Sequence, residues 1–169
     1  MEDLNTERIK SILNYELPLF SDTHTISPEL LRSYLLFRKL GTDLETQLDL
    51  FFAPFKLSTG RFLILLTLDC HQKSGLAPTV LAQKVGVTQA TISGLISSLE
   101  KGQLIQKRTH EKDGRSYLID LTPQGNELVQ KLKGDFFQRI NAILAPVKND
   151  DVNSLNTKLL EIAAKLQNP

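Results

Sequence analysis

The chain has 169 residues, of which 41% are hydrophobic and 23% are charged, and its formal net charge is +1. This composition predicts one soluble globular domain and excludes a disordered chain. It contains no uninterrupted run of 18 apolar residues, so we expect no membrane span. Its N-terminus lacks the basic segment and following apolar run of a signal peptide, so we expect no secretory signal. The single cysteine, Cys70, excludes an internal disulfide and favours a cytoplasmic location.

Charge is unevenly distributed along the chain. Residues 1–55 hold 5 Lys and Arg against 9 Asp and Glu, residues 56–122 hold 9 against 5, and residues 123–169 hold 6 against 5. The positive charge is therefore concentrated in the middle third. This distribution favours an anionic partner for that segment, although an ordinary solvated surface has the same composition.

The first third is predicted to be helical. Ser27 is a favoured N-cap and Pro28 a favoured first helical residue, and apolar residues follow at helical spacing. A second, mostly apolar helix is expected to be capped by Ser58 or Thr59. A further short helix is predicted within residues 6–17.

Residues 77–102, APTVLAQKVGVTQATISGLISSLEKG, predict two short helices separated by a turn. Gly86 can adopt the positive φ angle that ends the first helix, and Thr88 can cap the second. The inward face of the second helix is predicted to carry Ile92, Leu95, Ile96 and Leu99. Its opposite face is predicted to carry Gln89, Ser93 and Ser97. Two such helices are typical of a helix-turn-helix motif.

A β-hairpin is predicted next, because residues 104–109 and 116–121 have strand character and Asp-Gly in their connection favours a tight reversal. A helix is expected from the N-cap Thr122 to Pro146. The last helix follows Asn149 and carries a coiled-coil-like apolar seam at Val152, Leu155, Leu159, Ile162 and Leu166.

This order predicts a mainly α fold with a small β-wing, that is, a winged helix-turn-helix with N- and C-terminal dimerisation helices. Residues 1–55 would form an N-terminal helical part of the dimerisation region, 56–122 the DNA-binding lobe, and 123–169 the C-terminal dimerisation helices of a single intertwined domain. The outer helices carry more apolar surface than a small winged helix needs to cover, so we expect them to intertwine with a second copy. The alternative is that they pack only within one chain.

Residues 80–125, VLAQKVGVTQATISGLISSLEKGQLIQKRTHEKDGRSYLIDLTPQG, resemble the core of the MarR family of winged helix-turn-helix transcriptional regulators. The resemblance includes a D-x-R wing signature, Asp113-Gly114-Arg115, and extends over about residues 30–166. It implies a homodimer that binds a pseudo-palindromic operator in double-stranded DNA, often as a repressor. It also implies release from DNA by a small, often aromatic anion, whereas some members respond to cysteine oxidation or to metal.

The hairpin supplies candidate DNA contacts. A β-wing can hold an arginine over the narrow minor groove, where the negative potential is strongest, and Arg115 is the candidate. Asp113 would orient its guanidinium through charge-assisted hydrogen bonds. Lys107, Arg108 and Lys112 would contact phosphates. The alternative is a solvated hairpin tip with an ordinary surface ion pair.

The second helix of the motif would enter the major groove. Gln89 is suited to base recognition, because its amide can form two hydrogen bonds with adenine. The hydroxyl groups of four further residues could contact bases or phosphates: Thr88, Thr91, Ser93 and Ser97. The family often has Arg or Lys near Gly94 and Ser98, and their absence here keeps a second interpretation open: a winged-helix protein-interaction module without specific DNA binding. Gly94 costs a helix interior about 1 kcal/mol relative to Ala, and either close approach of DNA or sequence drift would explain it.

Other ligands are less well specified by the sequence. Cys70 allows a redox-responsive variant of the regulator, although a lone cysteine is more often a small core residue. We find no catalytic, cofactor-binding or metal-binding motif, and expect no enzyme activity, cofactor or metal. By resemblance, a small-anion effector would bind where the dimerisation helices meet the DNA-binding lobe. Its candidate neighbours, each of which has a core role as the alternative, are Tyr34, Arg38, Phe51, Phe52, Phe55 and Phe62.

Overall fold

A computed structural model of the protein describes residue 10 and residues 27–72, 74–110 and 113–167. These ranges contain helices and one two-stranded sheet, which confirms the mainly α fold with a small β-wing. The helices are α1 (Pro28–Phe52), a short 3-10 helix (Ala53–Phe55), α2 (Thr59–Asp69), α3 (Pro78–Val85), α4 (Gln89–Lys101), α5 (Pro123–Leu144) and α6 (Asn149–Gln167). The strands are β1 (Ile105–His110) and β2 (Asp113–Leu121). Apart from Lys10, the helix predicted within residues 6–17 lies outside the described residues.

The chain divides into two compact units, Met1–Ile64 and Leu65–Pro169. In the first unit, Ser27 caps α1 as predicted, since its Oγ accepts a hydrogen bond from the Leu30 N–H at 3.2 Å. Among the described residues of this unit, the buried apolar ones are Leu48, Phe52, Leu57, Phe62 and Ile64.

The first turn of α2 is capped by a side chain from another helix. Asp49 of α1 accepts hydrogen bonds from the Thr59 N–H at 2.7 Å and from the Thr59 hydroxyl at 2.8 Å. The local cap predicted at Ser58 is weaker, because its Oγ is 3.5 Å from the Arg61 nitrogen. Because Thr59 is buried, the Asp49 carboxylate rather than water satisfies its backbone N–H and caps the start of α2.

The second unit contains the helix-turn-helix. α3 ends at Gly86, whose φ of 76° is the left-handed conformation predicted for it, and Thr88 caps α4 by accepting from the Thr91 N–H at 3.2 Å. The core of this unit is formed mainly by Leu65, Leu68, Leu81, Ile92, Ile96, Leu99, Ile105, Ile119, Val129 and Leu132.

β1 and β2 form an antiparallel pair, in register from Ile105 opposite Leu121 to Thr109 opposite Tyr117. Leu76 adds a bridge on the other side of β2, with backbone hydrogen bonds of 3.0 and 2.8 Å to Ile119. Pairing extends beyond the predicted strands, because His110 is opposite Asp113. The prediction that Asp-Gly forms the turn is therefore wrong: both residues belong to β2.

The outer helices keep exposed apolar faces. On α1 these residues are Leu30, Tyr34, Phe37, Leu40 and Leu44; on α6 they are Leu155, Leu159, Ile162 and Leu166. Within the described part of the chain, no single helix has the length and hydropathy of a membrane span; Glu29–Phe55 and Thr59–Asp69 meet that criterion only as a pair with a bend between them.

Candidate nucleic-acid interface

α4 is held in the lobe by one face and leaves the other open. Of the four residues predicted to face inward, Ile92, Ile96 and Leu99 are buried and Leu95 is half-buried. All five residues predicted as DNA contacts at this helix are exposed: Thr88, Gln89, Thr91, Ser93 and Ser97. We call these five the reading face. The apolar face fixes the rotation of the helix about its axis, so the fold determines which side chains a groove would meet.

The reading face is uncharged, and part of it is organised by hydrogen bonds within the helix. The Thr88 and Thr91 hydroxyls are 2.9 Å apart, and the Ser93 hydroxyl donates to the Gln89 carbonyl at 2.9 Å. A hydroxyl that donates one bond can still accept others. The surface can therefore form hydrogen bonds with base edges but contributes no positive charge of its own.

Lys107 of β1 is bound to the C-terminal end of α4. Its Nζ donates to Glu100 Oε2 at 2.6 Å and lies 5.4 Å from the centroid of the Tyr117 ring. The hydrogen bond to Glu100 is the main cause that raises the pKa of Lys107; desolvation opposes it, and the charges of Glu100 and Tyr117 add smaller effects that raise the pKa further. Lys107 is therefore protonated at neutral pH, but a carboxylate of the same chain already binds it.

Arg108 extends from the opposite face of β1, because successive side chains of a strand alternate. Its Nε donates to Asp120 Oδ2 at 2.9 Å and its Nη2 to the Ser74 carbonyl at 3.3 Å. On this side lies an open cavity of about 540 Å³, lined by Gln72, Gln106, Arg108, Asp120, Leu121, Thr122, Pro123 and Asn126. Lys107 and Arg108, two of the three predicted phosphate contacts, thus lie on different faces of the wing.

β2 has an irregular register near the tip of the wing. Thr109 is opposite Tyr117 and the next residue, His110, is opposite Asp113, so residues 114–116 have no counterparts on β1. The result is a bulge centred on Arg115, and such bulges are common where a strand changes the direction of a side chain near a functional site. Lys112 lies outside the described residues, and of Asp113 and Arg115 the structure describes only the strand backbone.

The predicted effector residues all lie in the first unit but in different environments. Phe52 and Phe62 are fully buried and stack at 4.5 Å, so a ligand could reach their rings only if the core opened. Phe51 and Phe55 are half-buried, whereas Tyr34 and Arg38 are exposed. Tyr34 and Phe52 are separated by about 27 Å along α1, so a single small ligand would not contact both within one protomer.

Cys70 is exposed, so the core role favoured by the sequence is wrong for it. Its neighbour His71 uses Nδ1 to donate to the Thr67 carbonyl at 2.8 Å, and Asp69 accepts from Gln130 and Lys133 of α5. Among the side chains that the structure describes, no group of three or more His, Cys, Asp and Glu could hold a metal ion.

Sequence reasoning missed Glu100 and Asp120, the carboxylates that pair with the two wing cations. Helical spacing could have placed Glu100 next to the reading face, because it follows Ser97 by three positions. The choice of Lys107 and Arg108 as their partners depends on how the wing packs, which no local pattern encodes.

Comparisons with known proteins agree with this geometry. The family model described as "MarR family" matches residues 57–117. The chain is 33% identical over 101 residues to the HTH-type transcriptional repressor YetL of Bacillus subtilis, a match that covers 60% of this chain and 60% of that protein. The structure is similar to the S. aureus MepR–DNA complex, with a TM-score of 0.71, 24% identity and coverage of 79% of this chain and 96% of that one.

A second solved structure is similar over a longer range. AbsC, a MarR family transcriptional regulator from Streptomyces coelicolor, has a TM-score of 0.77 and 21% identity, over 87% of this chain and 100% of that one. Together with the helix-turn-helix and the wing, these similarities show that residues 57–117 match the MarR family model and that the chain has the winged helix-turn-helix fold of the two solved structures.

Proposed function

We propose that this protein is a homodimeric, sequence-specific DNA-binding regulator of transcription in the cytoplasm, and that it acts as a repressor. The exposed reading face of α4, fixed by a buried apolar face and flanked by the wing, is the observation that carries the proposal. In this arrangement α4 enters the major groove, Gln89 pairs with adenine, and Arg115 enters the adjacent minor groove. The similarity to a named repressor supports the direction of regulation.

Dimerisation is supported by the exposed apolar faces of α1 and α6. Large apolar residues recur along both helices, and a contiguous surface of this kind is typical of a protein–protein interface. A second copy would cover these faces and present two reading helices to half-sites about one helical turn apart. This arrangement suits a pseudo-palindromic operator.

Release by a small aromatic anion is the regulatory part of the proposal. A ligand that favours a dimer with wrongly spaced reading helices lowers DNA affinity, and DNA then lowers ligand affinity by the same factor. The exposed Tyr34 and Arg38 supply an aromatic ring and a cation for such a ligand, one turn apart on α1. Oxidation of Cys70 is the alternative signal, and its exposure is compatible with that chemistry.

The proposal is tested by fluorescence anisotropy with the duplex that lies upstream of the protein's own gene and with a scrambled duplex. We expect tighter binding to the first duplex and a steep loss of affinity with salt, because phosphate contacts release counterions. Arg115→Ala should weaken binding by about 1–3 kcal/mol and leave the fold and dimer unchanged. Arg139→Ala, at an exposed position on α5, is the matched control.

A protein-interaction module is the second candidate. It is favoured by the uncharged reading face and by the pairing of Lys107 and Arg108 with carboxylates. Equal, weak binding to both duplexes, unaffected by Arg115→Ala, would support this module and contradict specific DNA binding.

A further inference from the structure

Glu100 introduces a negative charge beside the reading face. It follows Ser97 by three positions and Ser93 by seven, so the helical repeat places it on the side of α4 that carries Gln89. It is also next to the last residue of α4, where the helix dipole disfavours an acidic group. The helix itself therefore does not stabilise the Glu100 carboxylate.

The Lys107 ammonium supplies that stabilisation. It bonds to Glu100 at 2.6 Å and lies over the Tyr117 ring, which orients it towards α4. The Lys107 and Glu100 side chains are 40% and 41% exposed. Because solvent reaches both groups, the pair is weak and open to exchange, and another anion can approach the ammonium.

A carboxylate and a phosphate offer Lys107 the same chemistry: anionic oxygens that accept charge-assisted hydrogen bonds. We propose that Glu100 is an internal competitor for DNA phosphate, which occupies Lys107 in the free protein and thereby limits the affinity of the lobe for DNA. This inference rests on the proposed DNA-binding function. In this inference Glu100 sets the affinity for DNA, and Lys107 exchanges its Glu100 carboxylate partner for a DNA phosphate on binding.

A purely structural role predicts the opposite effect. If the pair served to hold the wing against α4, its loss would disorder the interface and weaken DNA binding. The competitor role instead predicts that removal of the carboxylate frees a cation and strengthens binding. The direction of the change therefore separates the two roles.

The test is a double-mutant cycle in which DNA affinity is measured with the duplex upstream of the protein's own gene, between about 50 and 200 mM salt. Glu100→Gln keeps the size of the side chain and removes its charge. We expect about threefold to tenfold tighter binding at the lowest salt, and a log–log salt slope that is steeper by about 0.9, the value for one additional phosphate contact. In the Lys107→Gln background the same substitution should change affinity by less than about twofold, because the freed cation is gone.

Glu161→Gln is the matched control, since it removes the same charge from an exposed Lys–Glu pair on α6, with Lys158. Affinity that is unchanged or reduced in Glu100→Gln overturns the inference, and so does an equal gain with and without Lys107, which would indicate simple charge repulsion. If the wild-type protein binds the upstream and scrambled duplexes equally, the proposed function fails and this inference fails with it. Circular dichroism melting confirms that each variant is folded.

Discussion

Gly125 shows how packing can require one residue type at one position. A Cβ atom at this position would lie 1.9 Å from the backbone oxygen of Leu104, well inside van der Waals contact. The residue is buried in the first turn of α5, where its N–H donates to the Thr122 hydroxyl at 3.0 Å. The Thr122 hydroxyl in turn donates to the Gln103 carbonyl at 2.7 Å. The start of α5 is thus bound directly to the backbone that leads into the wing.

Gly125→Ala should therefore lower the free energy of unfolding by at least about 2 kcal/mol, because backbone atoms must move to admit the methyl group. Gly134→Ala in the same helix is the control, since Gly134 is exposed and nothing lies within 4 Å of an added Cβ. It should raise stability by about 0.5–1 kcal/mol. Chemical denaturation measures both changes, and similar stabilities for the two variants would contradict this account.

At the scale of the element, α4 is the part of the fold in which sequence and structure agree most closely. The spacing of Ile92, Leu95, Ile96 and Leu99 predicts its inward face, on which all but the half-buried Leu95 are buried, and Thr88 caps the helix as expected. Both features depend on residues within four positions of each other, which is the range over which helical geometry acts. The wing agrees less well, since its strands and bulge depend on pairing between separate segments.

Gly94 remains the unexplained residue of α4. It is exposed, and an added Cβ would meet nothing within 4 Å, so the fold does not require glycine here. We expect Gly94→Ala to raise stability by about 0.5–1 kcal/mol and to weaken DNA binding, because a methyl group would separate the helix from a closely approaching groove. Denaturation and anisotropy provide the two measurements. Greater stability with unchanged affinity would favour sequence drift, and Gly134→Ala controls for stabilisation alone.

At the scale of the whole molecule, the exposed apolar seam of α6 has the spacing of a coiled-coil interface. Leu159 lies within the predicted seam, whereas Leu160 lies outside it and is 71% exposed. Leu159→Lys should convert the proposed dimer to a monomer by placing a charge in an apolar interface. Leu160→Lys should leave the dimer intact. Sedimentation or light scattering measures both, and a dimeric Leu159→Lys protein would exclude the seam as the interface.

The sequence alone determined the features that depend on short-range periodicity and backbone conformation. These include the helical stretches, the C-terminal end of α3 at Gly86, the N-terminal start of α4 at Thr88 and the two faces of α4. They also include the family resemblance carried by residues 80–125. Each follows from residues that are neighbours in the chain, where a repeat of 3.6 residues or a preferred φ angle acts directly.

Only the tertiary structure decided which distant groups meet. Asp49 caps a helix that begins ten residues later, Leu104 leaves no room for a side chain at Gly125, and Lys107 binds Glu100 across the junction of helix and wing. These contacts depend on how separate segments pack in space. The spacing of the partners in the sequence follows no helix or strand repeat, so it could not have predicted them. The positive charge that the wing exposes is therefore decided by the fold as well as by the composition.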